Sequence, residues 1–161
     1  MATVIRPYQK EDIPQIMELY NQIVAEGDAY LSEEPYSIKE MTDRVNNTPS
    51  TFVSETNGEL SGGYFLKPNF KGRAGHIANA TYFVSKEFRG QGIGRLLGEH
   101  SIVISKKLGF SAVQFNSVVA TNLAAMNLWN SLGFRTIGVI PNGFRTIDQQ
   151  FVDLNILFRE L

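Results

Sequence analysis

The feature that most constrains this chain is a strand that runs through a glycine-rich turn into a helix. Tyr82-Phe83-Val84-Ser85-Lys86-Glu87-Phe88 leads into Arg89-Gly90-Gln91-Gly92-Ile93-Gly94-Arg95. Glycine at every second place strips the turn of side chains. Backbone N–H groups can then face an anion, and the helix N-terminus behind them adds partial positive charge. Arg89 and Arg95 supply two cations. On physical grounds alone this is a cradle for a pyrophosphate.

Two commoner phosphate motifs fail here. The Walker pattern requires Gly-Lys-Ser/Thr after Gly and four residues, but Arg95 stands five places after Gly90. The dinucleotide pattern Gly-x-Gly-x-x-Gly also meets Arg95 at its last place. About 20 positions further on, where that fold puts an acidic ribose ligand, stand Gln114 and Phe115.

Around the turn the chain reads as β-α-α-β-β-β-α-β-α-β-β. Thr3–Arg6 is a first strand ending at Pro7, and Asp12 is placed to cap a helix whose first turn tolerates Pro14. Ile13, Ile16, Met17, Tyr20, Ile23 and Val24 follow helical spacing up to Gly27. Ser37 opens a shorter helix to about Val45. Thr51–Glu55 and Leu60–Leu66 flank Asn57-Gly58, a hairpin turn in which both residues accept positive φ. His76–Val84 is the strand before the cradle. The following helix carries Ile93, Leu96, Leu97, Val103, Ile104 and Leu108 as its expected apolar stripe. Ala112–Asn116, helix Asn122–Leu132 with Gly133 behind it, Phe134–Ile140 and Phe151–Phe158 complete the pattern. This order predicts a mixed α/β sandwich instead of a regularly alternating doubly wound sheet.

Composition narrows the chemistry. The 161 residues match one ordinary domain, 1–161; 43% are hydrophobic, enough for a core, and 19% are charged, too few for a disordered chain. With 15 Lys+Arg against 16 Asp+Glu, nothing in the net charge draws the chain to nucleic acid or an anionic membrane. The absence of cysteine excludes disulfides, thiolate metal sites and a cysteine-bound acyl group, and fits the cytoplasm. The N-terminus lacks a signal-peptide apolar run, and no stretch approaches the ~20 apolar residues of a membrane span.

The pattern that fits the turn is Arg89-x-x-Gly92-x-Gly94. It resembles the coenzyme A signature of the GCN5-related N-acetyltransferase (GNAT) superfamily, and the element order resembles that family along nearly the whole chain. The resemblance implies a mostly antiparallel sheet flanked by helices, with two central strands splayed apart and acetyl-CoA entering between them. Tyr82, Phe83 and Val84 would hold the pantetheine arm through backbone groups, and Arg89, Gly90, Gln91, Gly92, Gly94 and Arg95 the pyrophosphate. Asn122, within Asn122-x-x-Ala125-x-x-Leu128-Trp129-x-x-Leu132-Gly133-Phe134, resembles a second signature whose Asn contacts the cofactor. An ordinary helix N-cap is the other reading of Asn122, and the two are compatible.

Many superfamily members carry Tyr where this chain has Trp129. Such a Tyr can protonate the leaving thiolate, whereas indole is no practical acid, so Trp129 reads as wall or core. Lys67-Pro68-Asn69-Phe70-Lys71-Gly72-Arg73, His76-Ile77-Ala78-Asn79-Ala80, Phe115-Asn116 and Thr121-Asn122 resemble a narrower group. These are the fungal N-acetyltransferases that detoxify azetidine-2-carboxylate, a proline analogue, and their bacterial relatives. By that resemblance Asn79, Tyr82 and Asn116 line the substrate site. Acetyl transfer separately needs preorganised donors for an oxyanion, and either backbone N–H groups of the splayed strand or the Asn79 and Asn116 amides are the candidates. The partner implied is a small-molecule amine. No metal is called for, and a homodimer is left open because dimers are frequent in such families.

The strand His76–Val84 contains no Asp or Glu, so the carboxylate base common in the superfamily is missing. His76 lies about 20 Å along the strand from Tyr82 at ~3.3 Å per residue, far for a base. His100, among apolar helix positions, reads as a packed histidine. Glu33, Glu34 and Asp28 lie where the family shapes its substrate pocket, and Lys67, Lys71, Arg73, Arg135 and Arg145 are surface cations open to either a ligand or solvent. Direct attack by the amine is the simplest expectation. A protein or peptide amine acetyltransferase and a non-catalytic acetyl-CoA sensor are the alternatives.

Overall fold

The computed structural model describes residues 2–161. The strands are β1 (Thr3–Pro7), β2 (Ser50–Thr56), β3 (Glu59–Pro68), β4 (Ile77–Val84), β5 (Ala112–Val119), β6 (Arg135–Arg145) and β7 (Phe151–Glu160). The helices are α1 (Ile13–Glu26), α2 (Ile38–Asn46), α3 (Ile93–Lys107) and α4 (Leu123–Ser131). The strands form one sheet in the order β1-β2-β3-β4-β5-β7-β6. Every neighbouring pair is antiparallel except β4 and β5. The mixed α/β architecture expected from the element order, and the mostly antiparallel sheet implied by the resemblance, are therefore present. The last two strands run further than expected, to Arg145 and Glu160, because they pair with each other as a long ribbon.

Alternation along β3 and β4 divides the core in two. Tyr64, Leu66, Ala78 and Ala80 face α3 and α4, where Leu97, Ile102, Trp129 and Leu132 close on them. Phe65 and Phe83 face the other way, against Ile16, Tyr20 and Ile23 of α1 and Met41 and Val45 of α2. Each of these large side chains contributes about 1.5–3 kcal/mol by leaving water.

Local chemistry explains most helix starts and stops. A capping box opens α2: Ser37 Oγ accepts from the Glu40 N–H at 3.2 Å, and Glu40 Oε2 accepts from the Ser37 N–H at 2.8 Å. Gly27 ends α1 in the left-handed region at φ 69°. Asp12 precedes α1 as expected, but its carboxylate does not cap the helix. It accepts instead from the Gln9 N–H at 2.6 Å and from Arg6 at 2.8 and 3.0 Å. The Arg6 guanidinium, helped by that backbone donor, holds the Asp12 carboxyl below the usual carboxylate range despite partial burial.

The α3 stripe differs from the expected one. Ile93, Leu97, Gly98, Ser101, Ile102 and Ser105 are buried, whereas Leu96, Val103 and Leu108 are exposed. The inward face is narrow because α4 packs close: a Cβ on Gly98 would lie 2.6 Å from Leu132 and 3.0 Å from Trp129. Gly98, Ser101 and Ser105 share that face with Ile93, Leu97 and Ile102, while Leu96, Val103 and Leu108 fall on the solvent side.

Candidate active site

The parallel pair β4–β5 is in register only at Ile77↔Ala112 and Ala78↔Val113. Beyond those pairs the strands part, and the gap opens toward their C-terminal ends. A bulge between Phe115 and Val118 in the β5–β7 ladder releases Asn116 and Ser117 at the same level. The other edge of β4 is fully paired with β3. The Ser85 N–H donates to the Ser61 carbonyl, and antiparallel alternation then turns the backbone groups of Phe83, Thr81 and Asn79 toward β3. Those of Val84, Tyr82 and Ala80 face the gap.

This geometry corrects one expected contact. Phe83 cannot present backbone groups to the gap, and its ring is buried on the α1–α2 face. Tyr82 and Val84 can present theirs. The Tyr82 carbonyl already has a protein donor, the Tyr30 hydroxyl. The Tyr82 hydroxyl bonds Ser101 Oγ at 2.7 Å, and its ring packs 4.6 Å from Trp129 and 5.8 Å from Phe115. Burial pushes its phenol pKa up, so it is a poor acid.

The glycine turn lies beyond the C-terminal end of β4. Gly90 and Gly92 have φ of 74° and 84°, and a Cβ at either would meet nothing within 4 Å. They are needed for their backbone conformation and not for lack of room. The first bond of α3 runs from the Leu96 N–H to the Gly92 carbonyl at 3.1 Å. The N–H groups of Ile93, Gly94 and Arg95 therefore begin the helix with no intrahelical acceptor. Gln91 is exposed, and its amide donates to the Glu87 carbonyl at 2.9 Å. Both arginines have protein partners: Arg89 grips Glu26 of α1 at 2.9 and 3.0 Å, and Arg95 contacts Glu99 at 3.1 Å and Ser131 at 2.7 Å.

A cavity of about 400 Å³ opens on the splayed strands. It brings Asn79, Tyr82, Asn116 and Asn122 together with Trp129 in one wall. Asn79 sits where the β4–β5 ladder stops, and its Nδ2 donates to the Gln114 carbonyl at 3.0 Å. Asn116 forms a reciprocal amide pair with Asn69 (2.7 and 3.2 Å) and also accepts from Gln114 at 3.0 Å. Both amides are thus held by neighbours. Asn122 caps α4, accepting from the Ala125 N–H at 3.2 Å, and still lines the cavity. Trp129 is buried, packed 4.7 Å from Phe115 and 5.6 Å from Phe134.

The opposite wall was not anticipated. Tyr20, Tyr30, Tyr36 and Arg44 come from α1, the loop after it and α2. The Tyr20 and Tyr30 rings stack at 4.5 Å, and burial raises both phenol pKa values. The only sequence signal was the clustering of aromatics around the Gly27–Ser37 loop, which helical periodicity does not decode. Asp28, Glu33 and Glu34 do not line this cavity. Glu33 instead bonds Arg145 at 2.5 Å, tying the loop to β6.

Neither histidine reaches the cavity. His76 precedes β4, is exposed, and accepts at its carbonyl from the Ser111 N–H at 2.9 Å. His100 packs against Phe52 and shares a 2.8 Å hydrogen bond with Tyr64, as expected of a packed histidine. Desolvation lowers its pKa, with the Lys107 charge adding to the effect. Among the described residues no group of three His, Cys, Asp or Glu could hold a metal ion, and no helix is long and apolar enough to cross a membrane.

The sequence matches the model of the acetyltransferase (GNAT) family over residues 13–134. The chain belongs to that family. It is similar to N-acetyltransferase aca1 of Schizosaccharomyces pombe, 38% identical over 86 residues, which are 53% of this chain and 41% of the relative. The chain thus matches less than half the length of that protein. It is also similar to the L-methionine sulfoximine/L-methionine sulfone acetyltransferase of Pseudomonas aeruginosa, 27% identical across 97% of this chain and 96% of the other. Among solved structures, a GCN5-related N-acetyltransferase from Kribbella flavida superposes with a TM-score of 0.92 and 34% identity, covering 99% of this chain and 98% of that one.

Proposed function

We propose that this acyltransferase moves an acetyl group from acetyl-CoA to the amine of a small molecule, by direct attack in a ternary complex. The observation that carries the reading is the fork itself: a parallel strand pair that parts after two residue pairs, with an anion cradle at its open end and a cavity on its side. Gly90, Gly92 and the N–H groups of Ile93, Gly94 and Arg95 fit a pyrophosphate, since open space and unbonded donors coincide there. Arg89, Gln91 and Arg95 flank it, and the gap-facing backbone of Tyr82 and Val84 suits an amide-bearing arm. Acetyl-CoA supplies an activated thioester.

The chain's own contribution is placement and polarity. Asn79 and Asn116 stand at the fork, and gap-facing N–H groups of β4 can favour negative charge developing on an acyl oxygen. Holding the amine in the adjacent cavity makes its attack effectively unimolecular. Among the described residues no carboxylate or histidine lines the cavity, so an acceptor enters as the neutral amine or loses its proton to water. No cysteine is present to carry the acyl group. The azetidine-2-carboxylate-like subgroup, suggested by the segments that carry Asn79, Asn116 and Asn122, points to amino acids and proline analogues.

The test is free-thiol release from acetyl-CoA with azetidine-2-carboxylate, proline analogues, primary amino acids, polyamines and short peptides. Release with free amino acids but not peptides is expected. Release with peptides alone would replace the small-molecule reading. Tight acetyl-CoA binding without turnover across the panel would favour a sensor.

A further inference from the structure

Arg6, Arg89, Arg95, Arg135 and Arg145 each pair with a carboxylate. Arg44, Arg73 and Arg159 do not: among the described residues none of the three has a carboxylate at ion-pair distance, and Arg44 and Arg159 are half-buried while Arg73 is exposed. Among the described residues Arg44 alone of the charged side chains lines the acceptor cavity. Its guanidinium carbon lies 4.6 Å from the Phe65 ring centre, 4.9 Å from that of Tyr20 and 5.7 Å from that of Tyr36. Nη1 donates to the Tyr20 hydroxyl at 3.0 Å and to the Tyr36 hydroxyl at 3.2 Å. The rings fix the plane of the fork while leaving its charge uncompensated.

That arrangement is supported from behind. Asn21 of α1 clamps the backbone of Tyr36 twice, donating to its carbonyl at 2.8 Å and accepting from its N–H at 2.7 Å. The capping box at Ser37 then starts α2, whose last turn carries Arg44. A preorganised, partly desolvated guanidinium in a cavity without acids repels a cationic amine and attracts an anion. Guanidinium geometry matches a carboxylate in particular.

We propose that Arg44 is the specificity-determining residue of the acceptor cavity, pairing with a carboxylate on the acceptor, so that the substrates are amino acids and not simple amines or polyamines. This rests on the acetyl-transfer reading above. Arg44 holds the anionic end of the substrate, and the amine is left to face the fork at Asn79. The surface cations Lys67, Lys71 and Arg73 lie outside this wall and have no part in the recognition.

The experiment compares matched acceptors: azetidine-2-carboxylate against azetidine, and a primary amino acid against its carboxamide and its decarboxylated amine. Wild-type kcat/KM is expected to favour the carboxylates by roughly 10- to 100-fold, as a charged hydrogen-bonded pair warrants. Arg44→Met should bring the ratio toward parity through KM, and Arg44→Lys should restore part of it, with acetyl-CoA affinity and Tm as controls. Wild-type preference for the uncharged partners would overturn the proposal and leave acetyl transfer standing. So would equal losses on both acceptors in R44M, the mark of a merely structural clamp on Tyr20 and Tyr36. Absence of turnover with every acceptor, with acetyl-CoA still bound, would remove the acetyl-transfer reading and this assignment together. The wild-type comparison needs no variant to fold.

Discussion

At the cradle end of the β4–β5 gap the chemistry comes from one short stretch, residues 89–95, shaped by two glycines at positive φ. The cavity beside the splayed strands draws on α1, the loop after it, α2, β4, β5 and α4. The cradle offers backbone donors and flanking arginines already partnered by Glu26 and Glu99. The cavity offers side chains, with one guanidinium that has no carboxylate partner among the described residues. Local backbone geometry can be specified by a few adjacent residues, and a side-chain constellation cannot. The two regions should therefore respond differently to substitution.

The largest effect is expected at Trp129, which joins both regions by packing on Tyr82 of the fork and on the α3–α4 core. Trp129→Ala should cost about 3–5 kcal/mol of stability, as large-to-small core changes do. Thermal unfolding checks this, and a Tm within a degree or two of wild type would show that the ring is not a packing element.

Gly92→Val comes next. A β-branched residue at φ 84° is strained by about 1–3 kcal/mol, and the turn must reshape. Acetyl-CoA affinity measured by calorimetry should fall on the order of 10- to 100-fold. An unchanged affinity would separate the cradle from the cofactor.

Asn79→Ala removes the amide at the point where the ladder ends and orphans the Gln114 carbonyl. A loss of about 1–3 kcal/mol of stability is expected, together with reduced kcat. A stability loss with kcat unchanged would make Asn79 a hinge pin of the fork and not a participant.

The α3 face offers a smaller, pH-dependent contrast. His100 has a folded pKa below its ordinary value because of burial. Its contribution is complete above that ordinary value, near 6.5, and declines as pH falls toward the folded pKa, where the unfolded chain takes up the proton first. The Asp12 carboxyl, also lowered, loses its contribution in the same direction at more acid pH. Wild-type Tm should drop between pH 7 and 5 by more than that of His100→Gln; equal drops would assign the loss elsewhere.

The smallest change is expected from Glu26→Gln, which releases Arg89 from its half-exposed ion pair. Acetyl-CoA affinity should rise by a few-fold at low salt, and the gain should shrink at high ionic strength.

The amino-acid order makes legible the element order, the Ser37 and Gly27 helix boundaries, the hairpin at Asn57-Gly58 and the glycine turn before α3. These depend on spacing and on backbone preferences of neighbouring residues. It also brought Asn79, Tyr82, Asn116 and Asn122 forward, through resemblance and not through periodicity. Tertiary structure decided the rest. Close packing of α4 at Gly98 set the buried side of α3, which leaves Leu96, Val103 and Leu108 in solvent. The pairing of β4 with β3 turned Phe83 away from the gap. Arg44, eight residues beyond Tyr36 in sequence and far from Asn79, joined their cavity only because α2 folds back over the sheet. Among the described residues it has no carboxylate partner, and an unpaired charge is a property of three-dimensional neighbours that no local pattern of residues records.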